Sequence, residues 1–301
     1  MAAFSIFLRK TLLLCCVPLL NSCSAAHTQP ETVLVGSTPG DEIIRTILAI
    51  PAETAVDFIR WHLVLHGKDR FALDINYGES QPNTLGFKRN GEKRMYTGTF
   101  SVSESSGFKN VYHLSSADFS AEICIAKLNE NVFHILEPAG NMMAGNGGWS
   151  YSLNRETPVR NSEISICSRI SEDKPMQLVY EGRTPCREIA NEHPEMKATA
   201  SCFKIKWKLT LNRDSATHQP ATCIIRNIVD NEPRDIAGSW DMIQGTAANP
   251  DAILYKITVY NLAEPIVLFA GDDNVLFFID KNHEPMIGNQ DFSFTMNRKH
   301  P

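Results

Sequence analysis

The chain says the same thing twice. Residues 131–155 and 274–298 align without a gap, with eight of 25 positions identical. Both copies end on one rhythm, Trp149-Ser150-Tyr151-Ser152-Leu153-Asn154-Arg155 against Phe292-Ser293-Phe294-Thr295-Met296-Asn297-Arg298. A repeat distance of about 140 residues is far too long for a solenoid and is the size of one small domain. The chain therefore reads as a tandem duplication in which each copy buries its own core.

The local pattern within each copy is that of strands. Phe203-Lys204-Ile205-Lys206-Trp207-Lys208-Leu209-Thr210-Leu211 alternates apolar and polar residues, which gives a strand one buried and one wet face. Trp61-His62-Leu63-Val64-Leu65 is its counterpart in the first copy, with Trp61 matching Trp207. The closing segments alternate too, placing Trp149, Tyr151 and Leu153 inward in one copy and Phe292, Phe294 and Met296 in the other. Turn residues break the remaining apolar runs, as in Val267–Ala270, Gly271–Asn274 and Val275–Ile279. Many short antiparallel strands joined by tight turns point to an all-β fold of two tandem up-and-down, lipocalin-like β-barrels. A short helix is expected at 40–49, where Thr38-Pro39 reads as a cap followed by Pro and Ile43, Ile44, Ile47 and Leu48 share a face.

The N-terminus reads as an address. Arg9-Lys10 precedes an apolar stretch, Thr11–Leu20, too short to span a bilayer. Leu20-Asn21-Ser22-Cys23 then resembles the lipobox of bacterial lipoproteins, which implies a signal peptide over 1–22, lipid on Cys23 and an export route. Residues 23–38 read as a flexible tether, 39–155 as the first barrel, 156–174 as a polar linker and 175–301 as the second barrel. Five further cysteines remain, Cys124, Cys167, Cys186, Cys202 and Cys223. An oxidising compartment favours a bridge among Cys186, Cys202 and Cys223, and the odd count leaves at least one thiol over.

Two stretches carry a resemblance to a known family. Val179-Tyr180-Glu181-Gly182-Arg183-Thr184-Pro185-Cys186-Arg187-Glu188-Ile189 resembles the opening of the N-terminal barrel of NlpE-type lipoproteins of copper homeostasis and envelope stress. Phe277–Met286 resembles its close, and Gly238-Ser239-Trp240, repeated as Gly98-Thr99-Phe100, its middle strand. The resemblance implies a lipid-anchored envelope protein, in the outer membrane, with a link to copper. The chain departs from the family's Cys-x-x-Cys, because Ile189 stands at the second position, and Pro51-Ala52 is expected to occupy that place in the first copy.

The chemistry offered is sparse. A net charge of −5 argues against nucleic acid as a partner, and Lys204, Lys206 and Lys208 read as the wet face of a strand. The soft sulfurs of Cys186, Cys202 and Met196 would suit copper and the imidazole of His193 copper or zinc; a disulfide within the cysteine set is the competing use of two of them. Met142-Met143 and Met286 read as core filling. His62 and His66 read as surface histidines, and Gly145-Asn146-Gly147-Gly148 as a turn into a strand rather than a phosphate loop at a helix. No hydrolase or nucleotide-binding motif is present. Trp61, Trp149, Tyr151, Trp207, Trp240, Phe292 and Phe294 either line a barrel cavity or fill it. The expectation is an envelope protein without catalysis or a resident cofactor. It would be bound to the membrane through its lipid and would sense or bind a small hydrophobic ligand or an envelope protein. Copper handling through the second barrel is the alternative.

Overall fold

The computed structural model describes residues 31–299, apart from 106, 161, 197, 198, 200, 230, 231 and 246–248. Eight strands close into one antiparallel barrel: β1 (Glu31–Pro39), β2 (Phe58–His66), β3 (Arg70–Gly78), β4 (Glu92–Ser105), β5 (Phe108–Ser115), β6 (Ile123–Lys127), β7 (Val132–Ile135) and β8 (Ser152–Arg155). Eight more make a second: β9 (Gln177–Thr184), β10 (Ile205–Arg213), β11 (Pro220–Val229), β12 (Glu232–Gln244), β13 (Ile253–Val259), β14 (Ile266–Ala270), β15 (Val275–Ile279) and β16 (Thr295–Arg298). Each strand pairs with its sequence neighbours, and the first pairs with the last to close the ring. Closure removes the exposed edges that an open sheet of this length would present.

The duplication is legible at the level of single atoms. The Trp61 indole donates to Thr38 Oγ1 at 2.9 Å, and the Trp207 indole donates to Thr184 Oγ1 at 2.9 Å. Gly36 lies opposite Trp61 and Gly182 opposite Trp207 in the strand register. A Cβ on Gly36 would stand 2.7 Å from the Ser152 carbonyl oxygen, and one on Gly182 would stand 2.4 Å from that of Thr295. Both barrels are therefore drawn shut where a glycine lets the last strand approach the first, with a tryptophan covering the gap on the same face.

Inward side chains fill both barrels. Trp61, Phe71, Tyr77, Tyr96, Phe133 and Tyr151 belong to one continuous cluster in the first. Trp207, Trp240, Tyr255, Phe278 and Phe294 do the same in the second. Short helices α1 (Glu42–Ile47) and α2 (Cys186–Glu192) each follow the first strand of their barrel and send Ile44, Ile47 and Ile189 into these clusters. Of the seven aromatic positions, Trp61, Tyr151, Trp207, Trp240 and Phe294 fill the interiors.

Several sequence expectations need correction. Residues 31–38 of the expected tether are barrel structure, because β1 begins at Glu31. The cap of α1 is Asp41, whose carboxylate accepts from the Ile44 N–H at 3.1 Å; Thr38 is still in the strand, its hydroxyl taken by Trp61. Cys186 follows β9 as Gly40 follows β1, so Gly40, not Pro51-Ala52, is its counterpart. The connection 156–174 is not a free linker, since Ile164 and Ile166 are buried in a third apolar cluster.

That third cluster joins the barrels. Phe108, Val111, Ala126, Leu128 and Val132 from the outer face of the first meet Leu254, Phe269, Val275, Phe277 and Ile279 from the second. The contact is close to two-fold, as isologous interfaces between identical copies are. The Gly145 N–H donates to Asn297 Oδ1 at 2.7 Å, and the Gly288 N–H donates to Asn154 Oδ1 at 2.8 Å. At its centre the equivalent residues His134 and Phe277 meet edge to face, ring centroids 5.5 Å apart.

His134 is fully buried, with Nε2 2.9 Å from the Met143 carbonyl and Nδ1 3.0 Å from Ser152 Oγ. Burial pushes its pKa from 6.5 down to about 4. Between those values the unfolded chain takes up a proton that the folded protein refuses, so stability falls as pH drops through this window. The penalty at pH 5 is about 2 kcal/mol. His134→Phe, which installs the residue found at the equivalent Phe277, should lose this component. Denaturant titrations at pH 7 and pH 5 should show a smaller acid loss in the variant than in the parent.

Candidate functional site

The candidate residues from sequence are scattered. Cys23 lies outside the described residues. Cys186 and Cys202 are joined in a disulfide, with Cα atoms 6.0 Å apart. Cys223 is buried and unpaired, its thiol pushed up to about 11 by burial, and Cys124 and Cys167 are also free. Met196 packs in the core of the second barrel. His193 caps the C-terminal end of α2, buried and held below its ordinary pKa by desolvation. With both sulfurs bonded to each other, Cys186 and Cys202 offer no thiolate to a metal, and Met196 is taken up in the core. His62 and His66 sit half-exposed near Asp74 and Glu31, as surface histidines do.

Two of the seven aromatics leave the barrels. The expected alternation would place Trp149 and Phe292 inward, but β8 and β16 start only at Ser152 and Thr295. The preceding segment is a turn instead. Asn146 Oδ1 accepts from the N–H groups of Gly148 and Trp149 at 2.9 and 3.0 Å, while Asn297 holds Gly145 from the other barrel. This turn throws the Trp149 ring onto the seam between barrels. There it stacks on Phe58 (centroids 4.8 Å apart), which stacks in turn on Phe87 at 4.0 Å.

A guanidinium completes the pile. Arg183 points out from β9 and sits over the Trp149 ring, 5.3 Å from its centroid. Next to it in the register is Lys206 on β10. These groups line a cleft of about 400 Å³ between the glycine turn of the first barrel and the outer wall of the second. It continues into a hollow of about 320 Å³ that shares Trp149, Arg183 and Lys206 and adds Lys204, Arg60 and Asp291.

The charges of the cleft do not balance. Asp291 is paired with Arg60, Glu181 with Lys299 at 3.2 Å, and Arg226 with Asp235 at 2.5 Å. Among the described residues no carboxylate lies within ion-pair reach of Arg183, Lys204 or Lys206. Burial lowers the pKa of Arg183. Burial lowers that of Lys204 as well, with the positive charges of Arg183 and Lys206 adding to the effect. Half-buried cations that repel one another are costly unless something negative joins them. Arg183 is pre-oriented by stacking, and its fork of N–H donors suits a carboxylate or phosphate. The arrangement can bind and orient an anion.

The turn, the lysine run and the aromatic pair were all visible in the sequence, yet their meeting was not. Arg183 carried no signal of its own. Comparison with protein families, with curated proteins and with solved structures gives no match for this chain.

Proposed function

We propose that this is a non-enzymatic binding protein of the bacterial cell envelope, lipid-anchored at Cys23, whose ligand presents an anionic group to the seam between its two barrels. One observation carries the reading: Arg183 is half-buried, stacked on Trp149 and unpaired, with Lys204 and Lys206 crowded beside it. The lipobox-like segment and the NlpE-like stretches support the location and the sensing role. The stacked guanidinium and the lysines beside it suit a carboxylated or phosphorylated molecule of the envelope as ligand.

Fluorescein-labelled hexaglutamate and tripolyphosphate serve as probes of the two anion types. At least one should bind with an affinity that falls as salt rises. Arg183→Gln should weaken it about 10–100-fold, the worth of one charge-assisted contact. Arg234→Gln, an exposed arginine on β12, should change little. Equal losses in the two variants would reduce the effect to net charge and remove the cleft from the account.

A further inference from the structure

The outer face of the first barrel gathers a second set of polar groups that the cleft does not use. His113 on β5 pairs directly with Cys124 on β6, and both side chains point outward. Glu122 immediately precedes β6 and reaches the same point. His113 Nδ1 stands 3.5 Å from Cys124 Sγ and 3.6 Å from Glu122 Oε2, and all three ligand atoms lie within 4.8 Å of one another.

We infer that His113 Nδ1, Cys124 Sγ and a Glu122 carboxylate oxygen form a zinc site with its fourth position open. Ligand atoms held about 2.0–2.3 Å from a tetrahedral ion stand about 3.3–3.6 Å apart, which is the separation found here on both edges that meet at the imidazole. The donor set of one nitrogen, one sulfur and one oxygen suits zinc, and three protein ligands with a free position is its usual open-site form.

The supporting groups are also in place. Ser103 Oγ on β4 lies 2.9 Å from His113 Nε2, so an Nε2–H can donate to it while Nδ1 faces the ion. Ser115 Oγ donates to Glu122 Oε1 at 2.6 Å, leaving Oε2 turned toward the imidazole. Outer partners of this kind set the ring tautomer and hold a carboxylate in place. A thiol–imidazole hydrogen bond by itself would need neither the carboxylate nor the two serines.

The other barrel supplies an internal contrast. At the equivalent strand pair Lys256 stands opposite Val267, with Pro265 before the strand, so the scaffold does not require these three residues.

The full chain, stripped of metal and with its free thiols reduced, is titrated with Zn²⁺, and with Co²⁺ as a spectroscopic probe. One equivalent should bind, and the cobalt form should show a sulfur-to-metal charge-transfer band in the near ultraviolet. Cys124→Ser should abolish the band. Glu122→Gln, at an exposed carboxylate whose loss leaves the barrel intact, should weaken zinc binding about tenfold or more. Cys167→Ser and Cys223→Ser should retain both band and affinity. A band that survives in Cys124→Ser, zinc affinity unchanged in Glu122→Gln, or no stoichiometric uptake by the parent would each overturn the assignment.

Discussion

Phe277→Ala should cost about 3–5 kcal/mol, the cost of emptying a large buried aromatic site that cannot collapse. Phe277 is only 1 % exposed although its side chain points out of its own barrel. It packs on Phe269 within the second barrel and on His134 of the first. Apolar strand residues fill the space around it from both sides, and two reciprocal asparagine contacts hold the barrels against each other. Tyr260, 89 % exposed, gives the contrast: its truncation should stay within about 0.5 kcal/mol. Denaturant unfolding measures both. Because the lost contacts bridge the barrels, the parent should unfold in one transition and Phe277→Asp, which buries a lone carboxylate there, in two.

Arg183→Glu should weaken anion binding by at least about 100-fold, since it removes one charge-assisted contact and adds a repulsion. The replacement carboxylate would face Lys204 and Lys206, which have no acidic partner among the described residues. Folding should survive the change, and those two lysines would gain a partner. Loss of binding without loss of fold separates a residue kept for a ligand from one kept for structure. Trp149→Leu should act in the same direction but more weakly, because it removes the platform under the guanidinium and leaves the charge in place.

The barrels were legible because their evidence is periodic and repeated. Alternation along residues 203–211 marks one wall, and the match of Trp61 to Trp207 marks the same wall twice. The closing rhythm of each copy also placed Tyr151, Leu153, Phe294 and Met296 in the cores. The same alternation failed at Trp149 and Phe292. There the backbone donors are captured by Asn146 in one copy and Asn289 in the other, and the chain turns before the strand begins. Period two correctly put Lys206 on an outer face, but it cannot say that Arg183 lies beside it or that a loop from the other barrel will cover that face. His113 and Cys124 are eleven residues apart and become neighbours only through the β5–β6 register. The sequence pointed to thiol chemistry in the second barrel, where the Cys186–Cys202 bond occupies both sulfurs; the free thiol with ligand-like neighbours lies in the first.

The most direct test of the cleft is to measure binding and stability on one variant, Arg183→Met. Methionine retains much of the apolar stem that lies along Trp149 and removes the unpaired charge. Affinity for the anionic probe should fall about tenfold or more, while stability should hold or rise by up to about 1 kcal/mol, as when a costly polar group kept for function is replaced. Unchanged affinity, or stability lost together with affinity, would contradict the account and make Arg183 a structural residue of the seam.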